Sequence, residues 1–288
     1  MTAKIMTRYA LSFLLTIIAG GFLTATMVRL SPGFEGDEEL LDTRLNETSR
    51  DAMRRQHDAE RDIPGFYLRH IGNLVRGDFG FSRSMQRPVG ELLAVRLPVT
   101  AKLMALGMAG GWLMGLALAT AVVLWRAPLW SGLAAGLTGV LLSVPSAVLA
   151  FLIFYYSGPV QFVMALALFP KVFQYARNVL CQVRGMPHVL GAHAKGLSAG
   201  RVFVRHILQV SLPSLVALAG VSVSMAFSAA IPVEVICDQA GIGQLAWKAA
   251  LARDLPLLVT ITFLVVVLTQ AGNLLSDCAT VLCGGRNA

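Results

Sequence analysis

The chain has 288 residues, of which 56% are apolar and only 14% charged, and its mean hydropathy is +0.66. Soluble globular proteins carry about 25% charged residues, so this composition excludes a water-soluble globule and favours a membrane protein. The net charge of +8 is typical of proteins that bind nucleic acid or anionic lipid, and of membrane proteins with basic cytoplasmic loops. The positions of the charges must decide among these. The four cysteines lack CxxC spacing, so we assign them no redox or metal role.

Stretches without charged side chains indicate where the chain crosses a bilayer, which takes about 18 residues or more. They cover 9–28, 103–125, 127–170, 207–233 and 255–276. The third stretch is too long for one helix, and Ser157-Gly158-Pro159 near its middle combines strong turn formers. The sequence therefore predicts six spans. The fourth, over 160–180, has only a short part in the membrane, because Lys171 and Arg177 enter its last turns.

The first apolar stretch follows Lys4 and Arg8 and resembles the core of a secretory signal peptide. Its extent from residue 9 to residue 28 exceeds the roughly 7 to 15 residues of a signal core, and no clean small-residue cleavage site follows. We therefore interpret residues 1–30 as a retained N-terminal transmembrane helix.

Basic residues predict the orientation. Lysines and arginines occur throughout 171–206 without any acid, which places this stretch in the cytoplasm and, with six spans, both termini as well. The segment 31–98 then lies outside, and it holds 12 of the 16 acids together with 10 arginines. Within it we expect partial helix over 37–62 and loops over 72–98, while 234–254 forms a second external loop.

Motifs for enzymatic chemistry are missing from the sequence. It contains no phosphate-binding GxxxxGK[ST], no HExxH and no GxSxG, so we expect neither an active site nor a cofactor. The cores of the predicted spans also lack charges, which disfavours ion-coupled transport. Small residues on the second and third spans predict close helix packing, and they are Gly107, Gly110, Gly111, Gly115, Gly132, Gly136 and Gly139.

The basic stretch contains a second pattern, centred on Gly196. We expect Gly196 to separate a short helix over 188–195 from another over 199–210, and Pro213 fits a helix start. Leu197 and Val202-Phe203 supply apolar surface that a partner protein can cover. The residues alone leave a solvated basic loop open as the alternative.

Short motifs follow one another along nearly the whole chain. They are Ser31-Pro32-Gly33, Arg76-Gly77-Asp78-Phe79-Gly80-Phe81-Ser82, Arg87-Pro88-Val89, Arg96-Leu97-Pro98-Val99-Thr100, Ala194-Lys195-Gly196-Leu197-Ser198 with His206 and Leu212-Pro213, Val233-Glu234, Ala240-Gly241-Ile242-Gly243-Gln244-Leu245 and Arg253-Asp254-Leu255-Pro256. In this order they resemble the permease subunits of ABC importers of the dipeptide, oligopeptide and nickel class.

The resemblance implies an all-α membrane protein with six transmembrane helices, of the ABC importer type I permease fold, in a bacterial or archaeal inner membrane. Residues 1–30 form its first helix, 31–98 a small extracytoplasmic segment, and 99–288 the core permease domain, with a cytoplasmic coupling region over 181–212. The long external segment is typical of the first of two permease subunits. The implied partners are a second permease, two ATPase subunits that hydrolyse ATP, an external binding protein and the lipid bilayer, without nucleic acid.

The same resemblance implies two groups of functional residues. Coupling to an ATPase falls on Ala192, His193, Ala194, Lys195, Gly196, Leu197, Ser198 and Arg201. Extracytoplasmic docking and gating fall on Gly77, Asp78, Gly80, Glu234, Gly241 and Gly243.

Two departures from the family pattern leave an alternative open. The connection between the third and fourth predicted spans is short, at 157–159, and Leu190-Gly191-Ala192 stands where related proteins carry Glu-Ala-Ala or Arg-Thr-Ala. A structural or assembly subunit that keeps the permease fold without transport is the competing interpretation.

Overall fold

The computed structural model describes residues 63–125 and 128–284 and, before them, helical residues at 11, 14–16, 18–20, 22–23 and 26–27. The predicted helix over 37–62, much of the first predicted span and both chain ends lie outside the described residues. By contacts the chain divides into two compact units. The first comprises Met1–Leu97 and Leu245–Leu268, and the second comprises Pro98–Gln244 and Thr269–Ala288.

Besides the helical residues between 11 and 27, the described part of the first unit contains a helix, a hairpin and parts of three further helices. Helix α1 spans Ile63–Val75, and strands β1 (Phe81–Ser82) and β2 (Arg87–Pro88) form an antiparallel two-stranded sheet. Helix α2 begins directly after β2 and spans Val89–Trp125. The expectation of loops over 72–98 is therefore wrong at 72–75, which belong to α1, and from Val89 onward, because α2 accommodates Pro98 within the helix at the loss of one backbone hydrogen bond.

Helices make up nearly all of the described second unit. After α2 the elements are α3 (Pro128–Ser143), α4 (Ser146–Tyr155), α5 (Val160–Arg184), α6 (Pro187–Ala194), α7 (Ala199–Val202), a π-helical segment (Phe203–Leu208), α8 (Gln209–Ile236), α9 (Ile242–Leu251) and α10 (Leu255–Gly284). Helices α9 and α10 each contribute residues to both units.

The third predicted span is broken, which the sequence analysis did not predict. Helix α3 ends at Ser143 and α4 begins at Ser146, with a bend of 92° between them. Pro145 lies at the break; it has no N–H for the helical ladder, and it disfavours helical geometry for Val144 before it.

Among the described residues, three helices are long and apolar enough to cross a membrane: Val89–Trp125, Ala199–Ile236 and Leu255–Thr280. The bent pair Leu129–Ser143 and Ser146–Tyr155 gives a fourth if it counts as one span. Helix α5 does not reach the same hydropathy, and the first predicted span is only partly described. Six spans therefore stay a prediction.

Glycines let α2 and α5 pack in direct contact, as predicted. A Cβ added at Gly111 would lie 3.0 Å from Leu168 Cβ, and one at Gly115 would lie 2.7 Å from Val172 Cγ1. Residue numbers rise together along both helices, so α2 and α5 run parallel. The same prediction is wrong for Gly132, Gly136 and Gly139 within this chain, since no described heavy atom lies within 4 Å of an added Cβ.

A second helix pair in this unit is formed by α8 and α10. Helix α8 lies antiparallel to the last part of α10, where Ser276 donates a hydrogen bond to the Val216 carbonyl at 2.5 Å and Thr280 lies near Pro213. Two clusters of buried side chains fill this unit. One is centred on Phe173 and Leu180, and the other on Met164 and Leu168.

Candidate functional site

Helix α6 ends in a Schellman motif built around Gly196. The Gly196 amide donates to the His193 carbonyl at 2.9 Å, and the Leu197 amide donates to the Ala192 carbonyl at 3.4 Å. Gly196 has φ +73°, the left-handed conformation that the motif requires and that side chains disfavour. The prediction that Gly196 separates two helices is confirmed.

The predicted coupling residues lie along this turn and the helices on either side of it. Ala192 is buried, Leu197 is half-buried against the cluster that contains Phe173, and Ser198 precedes α7. The remaining predicted residues, His193, Ala194, Lys195, Gly196 and Arg201, are exposed. The structure therefore presents one short exposed loop with basic side chains.

Two details of the predicted coupling region are wrong. Val202 and Phe203 are 1% and 7% exposed, so they pack inside this chain and offer no surface to a partner. Pro213 does not start a helix but lies within a continuous helix over Ala199–Ile236. The large apolar side chains exposed in the coupling region are instead Leu190, Val204, Leu212 and Val210, at 66%, 61%, 42% and 37%.

A π-helical segment connects α7 to α8. In a π-helix each amide donates to the carbonyl five residues before it, and not to the one four residues before it as in an α-helix. Where the two patterns meet, a backbone carbonyl is left without an amide donor from the helix and can accept a hydrogen bond from elsewhere. The ring Nε2 of His188, on α6, lies 3.1 Å from the His206 carbonyl oxygen, which makes that nitrogen the donor. This bond joins the short helix α6 to the long helix that begins at Ala199.

A buried carboxylate organises the other end of α8. The Thr100 hydroxyl donates to Glu234 Oε1 at 2.6 Å, and the amides of Gly243 and Gln244 donate to Oε2 at 2.7 and 3.2 Å. The Ile242 amide in turn donates to Thr100 Oγ1 at 2.8 Å. We call these five residues the Glu234 clasp. It places the Glu234 carboxylate at the first turn of α9, where the helix dipole and the backbone amides favour an anion.

Glycines at 241 and 243 fit the Glu234 clasp sterically. A Cβ at Gly241 would collide with the Glu234 carboxylate, and a Cβ at Gly243 would lie 2.7 Å from Ile231 Cα. Glu234 is 0% exposed, and both glycines are buried. The structure thus brings these three predicted residues together inside the chain, although the sequence analysis placed Glu234 in an external loop.

A second buried carboxylate lies in the first unit, at the start of α10. Asp254 Oδ2 accepts hydrogen bonds from Ser82 Oγ at 2.6 Å, from Ser84 Oγ at 2.8 Å and from the Ser84 amide at 3.0 Å. Asp254 Oδ1 lies 3.2 Å from the Leu257 amide, the position of a helix N-cap. These four residues form the Asp254 clasp, which ties the hairpin to α10.

The remaining predicted docking residues form the turn between α1 and β1. Gly77 has φ +84° and closes α1 in a second Schellman motif, and the Asp78 carboxylate accepts a hydrogen bond from the Gly80 amide at 2.9 Å. Gly77 and Asp78 are exposed and Gly80 is half-buried. Nearby, His70 Nε2 lies 2.9 Å from Thr260 Oγ1. Burial lowers the pKa of the His70 imidazole, and the Asp78 carboxylate opposes that shift.

Sequence reasoning missed the partners of both carboxylates, namely Thr100, Gln244, Ser82 and Ser84. An isolated threonine or serine carries no local signal, because its role depends on a residue far away in the chain. The only available indication was the acid itself: Glu234 follows a long uncharged stretch and Asp254 precedes another.

Comparison with known proteins assigns the chain to a family. Residues 107–286 match the family described as the binding-protein-dependent transport system inner membrane component. The chain is 24% identical to the oligopeptide transport system permease protein AppB of Bacillus subtilis, with 96% of each chain covered, and 26% identical to the dipeptide transport system permease protein DppB of Lactococcus lactis, with 99% of each covered. It is 27% identical to the oligopeptide transport system permease protein OppB of Escherichia coli, covering 91% of this chain and 92% of that one. The chain thus belongs to the family of binding-protein-dependent transport system inner membrane components.

Proposed function

We propose that this chain is the permease subunit of an ATP-driven importer that takes up peptide-like solutes from an external binding protein. The observation that carries the proposal is similarity over more than nine-tenths of the chain to three permeases named for oligopeptide or dipeptide transport. The family match also includes the loop at Gly196 and the Glu234 carboxylate.

The direction of the helices supports a six-span topology with both termini in the cytoplasm. Helices α2 and α5 run parallel, so the chain between them must return across the membrane, and the bent pair α3 and α4 supplies that return. Segment 31–98 then lies outside and the loop at Gly196 inside. Lys171 lies within α5, so it is not one of the basic residues that mark the cytoplasmic side. The residues that still mark that side are Arg177, Arg184, Lys195, Arg201 and Arg205.

The loop around Gly196 is the proposed contact with an ATPase subunit. Exposed Leu190 and Val204 offer apolar contacts, and Lys195 and Arg201 offer charges at the edge. Since α6 bonds to the start of the long helix through His188 and His206, movement of the loop reaches α8 directly. Packed helices convert such movement into rocking between two discrete arrangements.

On the external side, the exposed turn at Gly77 and Asp78 is the proposed docking surface for the binding protein. Gly80 shapes this turn. Glu234, Gly241 and Gly243 contribute to gating through the Glu234 clasp, which fixes how α8 connects to α9. The implied partners are a second permease and two ATPase subunits, and ATP hydrolysis takes place on the latter.

The test uses the full chain, expressed together with a second permease, ATPase subunits and a binding protein from the same organism. We expect these subunits to purify together and to hydrolyse ATP faster when the peptide-loaded binding protein is added. A complex that assembles but neither responds to the binding protein nor takes up peptide would instead support the structural-subunit alternative.

Two alanine variants test the coupling loop within that complex. Gly196→Ala forces a side chain into a left-handed conformation and costs about 1 kcal/mol locally, whereas Gly191→Ala favours helix α6. An added Cβ meets nothing within 4 Å at either position, so only the backbone conformation differs. We expect loss of ATPase coupling in Gly196→Ala alone, and equal hydrolysis in both variants contradicts the assignment.

A further inference from the structure

Lys171 lies in the middle of helix α5, not in its last turns as the sequence analysis expected. Helix α5 continues to Arg184, and Lys171 follows Pro170 inside it. Its neighbour Val172 packs against Gly115 of α2. Gly115 lies near the middle of the charge-free stretch 103–125, which is a predicted membrane span. Lys171 is therefore level with the centre of a predicted membrane span.

A partly open cavity of about 250 Å³ lies beside Lys171. Its wall is formed by the break between α3 and α4, by α5 and by α8. The polar side chains that line it are Lys171, Ser146 and Ser228. Non-helical backbone at membrane depth is tolerated where it is buried in protein or lines a water-filled cavity, and the break at Pro145 meets that condition.

The Lys171 ammonium has no hydrogen bond or ion pair among the described residues. Ser146, which also lines the cavity, begins α4, and no side chain caps the first turn of that helix. An unpaired lysine exposed to lipid at the bilayer centre costs several kcal/mol, about 3 on insertion scales. This cost disappears if the lysine faces water and an anion.

The exposed face of α5 continues this polar surface. Lys171, Gln174, Tyr175, Asn178 and Gln182 recur at helical spacing on that face, and all are exposed or half-buried. The opposite face of α5 is apolar and buried, through side chains such as Phe173 and Leu180. A helix at membrane depth with one polar face lines an aqueous path and not the lipid.

We infer that Lys171 and the cavity at the α3–α4 break form a subsite for the carboxylate of the transported solute. The inference rests on the proposed function, because a peptide carries a carboxylate at its C-terminal end. The subsite uses the Lys171 ammonium for charge and the Ser146 and Ser228 hydroxyls for hydrogen bonds. A lipid phosphate is the other anion near a membrane, but it lies at the headgroups and not at the depth of Gly115.

The experiment measures uptake of radiolabelled tri-alanine by proteoliposomes that contain the complete importer. ATP hydrolysis stimulated by the loaded binding protein is measured in parallel, because it reports delivery and coupling. We expect Lys171→Gln to lower uptake about tenfold while stimulated hydrolysis stays within about twofold of wild type. Lys171→Arg keeps the charge and retains uptake within about threefold. Lys248→Gln, an exposed lysine on α9, is the matched control and behaves as wild type.

Chemical rescue separates charge from folding. Lys171→Cys is made in a background without the four native cysteines and treated with aminoethyl or sulfonatoethyl methanethiosulfonate. We expect the cationic reagent to restore uptake and the anionic reagent to leave it low. Equal uptake with both reagents, or wild-type uptake by Lys171→Gln, overturns the subsite. If the wild-type complex hydrolyses ATP but imports no tri-alanine, the peptide-importer function fails and the subsite falls with it.

Discussion

Among the described residues, each unit of the chain contains one buried carboxylate that joins distant segments, but the two sites are built from different donors. In the Glu234 clasp two backbone amides and one hydroxyl bind the carboxylate, and adjacent glycines leave no room for a Cβ. In the Asp254 clasp two serine hydroxyls and an amide bind one oxygen.

A backbone amide donor is retained in every substitution except one to proline, whereas a serine hydroxyl is lost on substitution by alanine. The Glu234 clasp is therefore sensitive to added atoms, and the Asp254 clasp is sensitive to removed ones. A hydroxyl also rotates to suit a changed acceptor, which a backbone amide at a helix start cannot do. We expect the first clasp to tolerate less change than the second.

The largest effect is expected for Gly243→Ala. The new Cβ would lie 2.7 Å from Ile231 Cα, a backbone atom that cannot move aside without shifting α8. Overpacking of this kind costs about 1–3 kcal/mol, and we expect the upper end. Thermal unfolding of the purified protein in detergent measures the loss.

Gly132→Ala is the control for that variant. It adds the same methyl group to helix α3 where no described atom lies within 4 Å, so stability should be unchanged or slightly higher. Equal unfolding temperatures for the two alanine variants would show that the close approach at Gly243 is not restrictive.

Glu234→Gln is expected to have the next largest effect. The substitution keeps the size of the side chain but removes the charge, and its NH₂ group cannot accept the hydrogen bond that one carboxylate oxygen accepts. Hydrogen bonds to a charged group contribute about 1 kcal/mol more than neutral ones, so we expect a loss of about 1–2 kcal/mol. A double-mutant cycle with Thr100→Val measures the coupling, and additive effects would contradict the shared bond.

Asp254→Asn is expected to cost less, about 1 kcal/mol or below, because asparagine caps a helix as well as aspartate does. The serine hydroxyls can turn toward the remaining carbonyl oxygen. Ser84→Ala removes one of these donors and should have an effect of similar size. Limited proteolysis of the hairpin in the intact protein reports both effects. A loss of stability in Asp254→Asn as large as that in Glu234→Gln would contradict the expected difference between the two clasps.

The smallest effect on stability is expected when a lower pH protonates His70. Burial lowers the pKa of the folded imidazole below its ordinary value of 6.5, so the unfolded form binds a proton first as the pH falls. Stability from neutral His70 is complete above about pH 6.5 and is lost progressively below it. Hydrogen-exchange protection of α1, after correction for the intrinsic pH dependence of exchange, should therefore decrease as the pH falls below about 6.5, and His70→Asn should remove that decrease.

Much of the helical framework could be predicted from the sequence, because long uncharged stretches and glycine turns are local signals. The apolar stretches 103–125, 207–233 and 255–276 all fall in helices, and Gly196 ends a helix as expected. The break before Pro145 was missed because the apolar composition continues through it.

The candidate site was less predictable, since burial depends on contacts between distant residues. Glu234 was assigned to an external loop because it is the first charge after an apolar run, yet the helix continues past it and buries it. Lys171 was placed near a helix end for the same reason. A charge marks the edge of a membrane helix only when nothing nearby can bind it.

The π-helical segment Phe203–Leu208 gives this chain one residue more than an α-helix would need over the same rise. The wide turn absorbs this extra residue, so deleting one residue there would restore α-helical pairing while the helix on either side kept nearly the same direction and rotation. The loop at Gly196 would then keep its place relative to Glu234. Among related chains, a one-residue difference in length at this segment is therefore compatible with the same partner surface at the loop and the same membrane-spanning part of the helix.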